Sequence, residues 1–260
     1  DDPEVAETAR RLGTALIELQ PDTSWTHVVW LVRGAIDRAY APLPGPPGAR
    51  GVHNDLYAIA DTHYLDDARL AAAVAEAIAG GARVIQYRDK IHGAEERARQ
   101  ADGLAALCRG RGAPFIVNDD VELAKLARAD GVHLGREDAS LAQARARLGP
   151  GAIIGVSCYN DLARAETAQA RGADYVAFGS FFPSRTKPKA VRADLKLLRE
   201  AKRKLRIPVV AIGGITPENG AHLLAAGADA LAVIEGVFGQ ADVRAASERY
   251  ARLFLARDGA

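Results

Sequence analysis

Methionine is absent from all 260 residues, the first position included, so the chain reads as a trimmed or excised piece. Only two cysteines are present. Cys108 and Cys158 form no CxxC pair, which excludes a zinc ribbon and a dithiol redox motif. Two such thiols fit a reducing compartment and no signal-peptide pattern is found, so a cytoplasmic location is expected. No apolar run approaches the roughly 18 residues of a membrane helix, which excludes a bilayer-spanning chain. Excess charge is also lacking. Lys+Arg 34 against Asp+Glu 33 leaves +1, which excludes a broad nucleic-acid-binding surface but not a local anion site. What is present, 48% hydrophobic and 26% charged residues, is enough to bury a sizeable core.

A run rich in proline and glycine, APLPGPPGARG at 41–51, cannot hold a regular element and reads as a linker. Two helical patterns precede it, Pro3 to Leu19 and Trp25 to Tyr40. Residues 1–54 are therefore expected to form a helical extension with its linker, and residues 55–260 the main domain. In the second helix Val28, Leu31, Val32, Ala35, Ile36 and Ala39 make an apolar stripe that needs a partner surface. The main domain, another subunit of a homo-oligomer or a neighbouring domain would serve.

From Leu56 the pattern becomes a regular alternation. Apolar β-rich runs occur at 56–61, 83–89, 114–119, 131–135, 153–158, 175–180, 208–214 and 230–234, with helix-period segments between them and one after the last. Near-continuous apolar runs suit parallel strands covered on both faces. Eight such units predict an α/β fold, a (β/α)8 TIM barrel. A doubly wound open sheet is the alternative, but no GxGxxG follows the first strand.

In a barrel the active face lies at the C-terminal strand ends. Those ends read Asp61; Gln86-Tyr87-Arg88-Asp89-Lys90; Asn118-Asp119-Asp120; His133, Gly135 and Asp138; Ser157; Ser180 to Lys187; Gly213-Gly214; and Ile234-Glu235. Local charge is thus dense where the total is neutral. Gly213-Gly214, before a helix opening at Thr216-Pro217-Glu218, suits a phosphate cradle or a tight turn that needs glycine. Arg88 and Lys90 offer a fork and a point charge to phosphate, or they form ordinary ion pairs. Asp119 and Asp138 suit Mg²⁺ bridged to a diphosphate, a general acid/base pair, or helix caps. The basic, hydroxyl-bearing loop at 182–192 closes over a polyanion or is a solvated turn. His133 reads as internally bonded within the barrel, and the two thiols as inert.

Together QYRDK (86–90), VNDD (117–120), GVHLGREDAS (131–140), GVSCYN (155–160), GSFFPSRTKP (179–188), AIGGI (211–215) and AVIEGVF (232–238) resemble the thiamine phosphate synthase family, in order and at the strand ends. The resemblance spans Leu56 to about Phe254. It implies a transferase that joins a hydroxymethylpyrimidine diphosphate to a thiazole phosphate, with Mg²⁺ as cofactor and release of pyrophosphate. It further implies that Gln86, Tyr87, Arg88, Asp89, Lys90, Asn118, Ser157 and Lys187 hold the pyrimidine diphosphate. Arg88, Lys90, Ser157 and Lys187 would act on the reaction itself. Asp119 and Asp138 would bind the metal, and Ser184, Arg185, Thr186, Gly214, Ile234 and Glu235 would line the thiazole phosphate site. Ser184 stands where the family commonly has Thr, and Glu235 where Ser is frequent. Residues 1–54 lie outside the family pattern and suggest the tail of a pyrimidine kinase, with which such synthases can be fused. A thiazole tautomerase on the same barrel and a non-catalytic thiamine phosphate-binding barrel are the alternatives.

Overall fold

The computed structural model describes residues 55–183 and 191–258. The helical patterns and linker expected within 1–54, and Ser184, Arg185, Thr186 and Lys187, lie outside the described residues.

Eight parallel strands close into a barrel in sequence order: β1 Asp55–Asp61, β2 Ala82–Arg88, β3 Phe115–Asn118, β4 Gly131–Leu134, β5 Ile153–Tyr159, β6 Tyr175–Phe178, β7 Val209–Ile212 and β8 Ala230–Val233. Closure is made where β1 pairs with β8, Asp55 facing Ala230. Helices α1 Asp67–Ala79, α2 Ala94–Arg109, α3 Val121–Leu126, α4 Leu141–Leu148, α5 Leu162–Ala170, α6 Leu195–Lys204 and α7 Pro217–Ala225 follow the first seven strands. After β8 come a four-residue helix absent from the sequence expectation, α8 Glu235–Phe238, and then α9 Val243–Asp258. The predicted (β/α)8 barrel is thus present, every expected strand in its place.

The two-residue period of each strand splits the core into two layers. Tyr57, Ile59, Val84, Ile116, Ile153, Tyr175 and Val210 fill the barrel interior. Leu56, Ala58, Ile85, Tyr87, Phe115 and Val117 face the surrounding helices. This parity determines which strand-end side chains reach the mouth. Counting on from Tyr57 and Ile59 turns Asp61 inward; counting on from Val84 does the same for Gln86 and Arg88.

The helices that start at the mouth are capped by short polar side chains. Asp66, Asp120, Asp161 and Asp194 accept the third-position N–H of α1, α3, α5 and α6 at 2.8–2.9 Å. Each such cap contributes about 1 kcal/mol. At the opposite end, Asp130, Asp174 and Asp229, each just before an even strand, accept the N–H of Phe115, Ile154 and Val209 at 2.8–2.9 Å. Those bonds tie adjacent strands together away from the site.

Cys108 on α2 and Cys158 on β5 are fully buried, and burial pushes both thiols up from 9.0 to about 12. A thiol that ionises more readily when unfolded supports the fold below pH 9 and withdraws that support as pH rises toward 12. The thermal midpoint is expected to fall steeply over that interval. At pH 8 a thiol reagent should label almost no native protein and two groups after unfolding; rapid native labelling would contradict the burial.

Candidate active site

The β2 end supplies the first cation. Arg88 points inward and its Nη1 binds the carboxylate of Asp61, which is only 1% exposed and also accepts the His63 N–H at 3.1 Å. Asp61 therefore aims the guanidinium, whose remaining N–H groups can serve an anion. Lys90 lies beyond the strand, half-exposed, with Nζ 2.7 Å from Asp119 Oδ2.

Between these two, Asp89 organises the loop. Its carboxylate accepts from the N–H groups of Ile91 and His92 at 2.8 and 3.1 Å, and from Thr62 Oγ1 and Tyr87 Oη at 2.9 Å, with His92 Nδ1 also at 2.9 Å. Burial opposes its ionisation, but the donors outweigh it and hold the group well below the usual carboxylate range. Tyr87 points outward, its hydroxyl 2.6 Å from Gln100 of α2. The structure thus separates the predicted QYRDK set. Gln86 and Arg88 face the interior and Lys90 the rim, whereas Tyr87 and Asp89 are committed to packing and loop bonds.

Asp119 follows β3 with φ +65°, a left-handed conformation that Asp and Asn tolerate better than most residues. Its N–H donates to the His133 carbonyl at 2.8 Å, which seats it above β4. Its carboxylate neighbours that of Asp138, whose Oδ2 accepts the Gly135 N–H at 2.5 Å. Burial disfavours charge on both. The bond from Lys90 nevertheless holds Asp119 low, while burial and the neighbouring Asp119 push Asp138 up. Neither residue caps a helix: Asp120 caps α3, and Ser140 caps α4 in a capping box with Gln143.

Two carboxylates forced together beside a lysine form a site that a hard cation would relieve. Among the described residues no group of three or more His, Cys, Asp or Glu side chains could hold a metal. The donor set present, two carboxylates, is one that Mg²⁺ commonly takes, with water and phosphate oxygens in the rest of its shell. A cavity of about 910 Å³ starts at Lys90, Asn118 and Asp119 and runs past His92 and Arg97 to Gln143 and Arg147.

Beneath the mouth a polar line crosses the interior, joining the strand-end residues Gln86, His133 and Ser157 through Tyr57 and Tyr175, neither of them an expected site residue. Gln86 Nε2 lies 2.8 Å from Tyr57 Oη, and Tyr57 Oη lies 2.7 Å from Tyr175 Oη. Tyr175 Oη is 2.9 Å from His133 Nδ1, and His133 Nε2 is 2.8 Å from Ser157 Oγ. Arg164 of α5 braces the strand ends above it, binding the carbonyls of Ser157 at 2.9 Å and Gly135 at 3.1 Å.

On the other side of the mouth, Gly213 and Gly214 have φ +105° and +61°. A Cβ at Gly213 would stand 2.1 Å from Ser180 Oγ, and one at Gly214 2.2 Å from the Pro183 carbonyl oxygen. Glycine is therefore required by backbone angle and by close approach, whether or not an anion binds there. Ile234 continues the inward parity of β8, and half-buried Glu235 opens α8.

The chain has known relatives. A family model described as thiamine monophosphate synthase matches residues 56–237. The chain is 55% identical over 199 residues to a thiamine-phosphate synthase of Nitrosococcus oceani, covering 76% of this chain and 92% of that protein. It is 54% identical over 212 residues to one of Chromobacterium violaceum, covering 82% and 100%. Among solved structures it resembles a thiamine phosphate pyrophosphorylase of Pyrococcus furiosus, with a TM-score of 0.70 and 38% identity, covering 78% of this chain and 96% of that one. Barrel, mouth and relatives agree: the chain belongs to the thiamine monophosphate synthase family.

Proposed function

We infer that the protein is a thiamine-phosphate synthase, a transferase that couples 4-amino-2-methyl-5-hydroxymethylpyrimidine diphosphate to 4-methyl-5-(2-phosphoethyl)thiazole and releases pyrophosphate. The observation that carries this reading is the gathering of Arg88, Lys90, Asp119 and Asp138 at one end of the barrel, where a diphosphate and a divalent cation can meet.

Asp119 and Asp138 would hold Mg²⁺, which when bound supplies Lewis-acid stabilisation of charge on the diphosphate. Arg88 binds diphosphate oxygens while Asp61 keeps its fork aimed, and Lys90 moves its charge from Asp119 to the anion. Gln86 and Asn118 orient the pyrimidine end from the interior, Ser157 turns its hydroxyl to the diphosphate, and Lys187, which follows β6 in the sequence, would add a further positive charge. These groups favour the step in which the methylene C–O bond breaks, its electron pair leaving with the diphosphate. The thiazole nitrogen then gives its lone pair to the methylene carbon, so no protein nucleophile is needed. Ser184, Arg185, Thr186, Gly214, Ile234 and the N–H of Glu235 receive the thiazole phosphate. Holding both substrates at one mouth supplies a further part of the rate.

Residues 55–260 are the catalytic unit in this reading and residues 1–54 an attached helical extension. Two buried thiols suit a reducing cytoplasm. The test is pyrophosphate release. It should require both substrates and Mg²⁺ together, with thiamine phosphate formed in equal amount. Isomerisation of the thiazole alone, or binding of thiamine phosphate without turnover, would overturn the assignment.

A further inference from the structure

Tyr57, Tyr175 and His133 have no part in the roles above, yet they join two residues that do. Heavy atoms alone allow the line from Gln86 to Ser157 to run in either direction, since hydroxyls and imidazole nitrogens can donate or accept. Proton counting restricts it. Each hydroxyl owns one proton, and Gln86 meets Tyr57 through its amide nitrogen, which can only donate. The order that gives every hydroxyl proton a partner within the line then has Tyr57 donating to Tyr175, and Tyr175 to His133 Nδ1. His133 carries its proton on Nε2 and donates to Ser157 Oγ. The Ser157 hydroxyl keeps its own proton to give to the mouth.

Both ring nitrogens of His133 are taken up by this line, Nδ1 by Tyr175 and Nε2 by Ser157. Burial also raises both phenols well above their ordinary range, so each keeps the proton it passes on. Space for the line is built into β5. Gly155 has no need of glycine for a left-handed angle, but a Cβ there would lie 2.0 Å from Cζ of the Tyr175 ring. Glycine inside a strand weakens it and marks a close approach, here that of the phenol.

We propose that Tyr57, Tyr175 and His133 are positioning residues that form a one-way hydrogen-bond relay from Gln86 to Ser157, holding the Ser157 hydroxyl as a donor to an oxygen of the departing diphosphate. The polarity of the relay stands on its own; the identity of the acceptor rests on the synthase reading.

Nitrogen-15 NMR of the full chain with labelled histidine, the His133 signal being assigned by its loss in His133→Gln, tests the polarity directly. Wild type should show His133 protonated on Nε2 only. In Gln86→Glu a carboxylate that only accepts replaces the donor, and the proton should move to Nδ1. Tyr175→Phe keeps the ring but cuts the line, and should lower kcat about tenfold with KM for the pyrimidine diphosphate changed less than about twofold. A wild-type Nδ1–H or doubly protonated ring, an unmoved proton in Gln86→Glu, or an unchanged kcat in Tyr175→Phe would overturn the proposal. The expected tautomers in a protein that releases no pyrophosphate would support the relay and remove the synthase reading alone.

Discussion

Asp119→Asn is expected to leave the barrel folded and to lower kcat by about two to three orders of magnitude, the loss typical of removing one well-placed electrostatic group from a charged transition state. Asparagine is the informative replacement because position 119 has φ +65° and asparagine tolerates that conformation. The backbone bond to His133 can persist, so the change removes the charge and little else. Asp138 would then face the cation site without its partner carboxylate. In the wild-type protein, chelation should abolish turnover and added Mg²⁺ restore it; in Asp119→Asn restoration should need more Mg²⁺ and remain incomplete. Circular dichroism and the thermal midpoint report the fold, and pyrophosphate release reports the rate. Near-normal turnover at saturating Mg²⁺ would remove Asp119 from the metal site.

Arg88→Ala is expected to damage stability as well as activity. Asp61 is buried beneath the mouth and its carboxylate is paired with Arg88. Deleting the guanidinium leaves a buried charge uncompensated, which costs about 3–5 kcal/mol. A urea titration should therefore show a clearly lower midpoint with an unchanged slope. Asp61→Asn/Arg88→Ala removes the stranded charge and should recover most of that loss, while activity stays low because the diphosphate still lacks its fork. A double variant no more stable than Arg88→Ala would show that Asp61 does not depend on the ion pair. This comparison separates two functions of one arginine that a single substitution would confound.

Much of the site was legible because a parallel strand has a short, rigid period. Once Tyr57 and Ile59 are inside, Asp61 must be inside, and the same count puts Arg88 inside with Gln86. The same period turns Tyr87, which stands between them, outward to Gln100, although the resemblance grouped all five residues of QYRDK as one binding run. The contacts of Asp89 were not legible in this way: five short bonds make it the knot of the loop that presents Lys90. The caps divided similarly. Asp119 and Asp138, both open to a capping reading, leave that position to Asp120 and Ser140 and turn to each other. The Ala-Asp pairs ahead of β4, β6 and β8 became meaningful only when each aspartate was found holding the neighbouring strand.

The order of residues by itself determined the eight strands, the helices between them and the end of the barrel that carries the charge, since those follow from periodicities spanning a few residues. Tertiary structure alone decided which charges meet: Asp61 with Arg88, Lys90 with Asp119, and the line from Gln86 to Ser157 that draws on five strands. Such partners are joined by closure and stagger of the barrel, and a local pattern carries no record of the angle at which a distant strand will arrive.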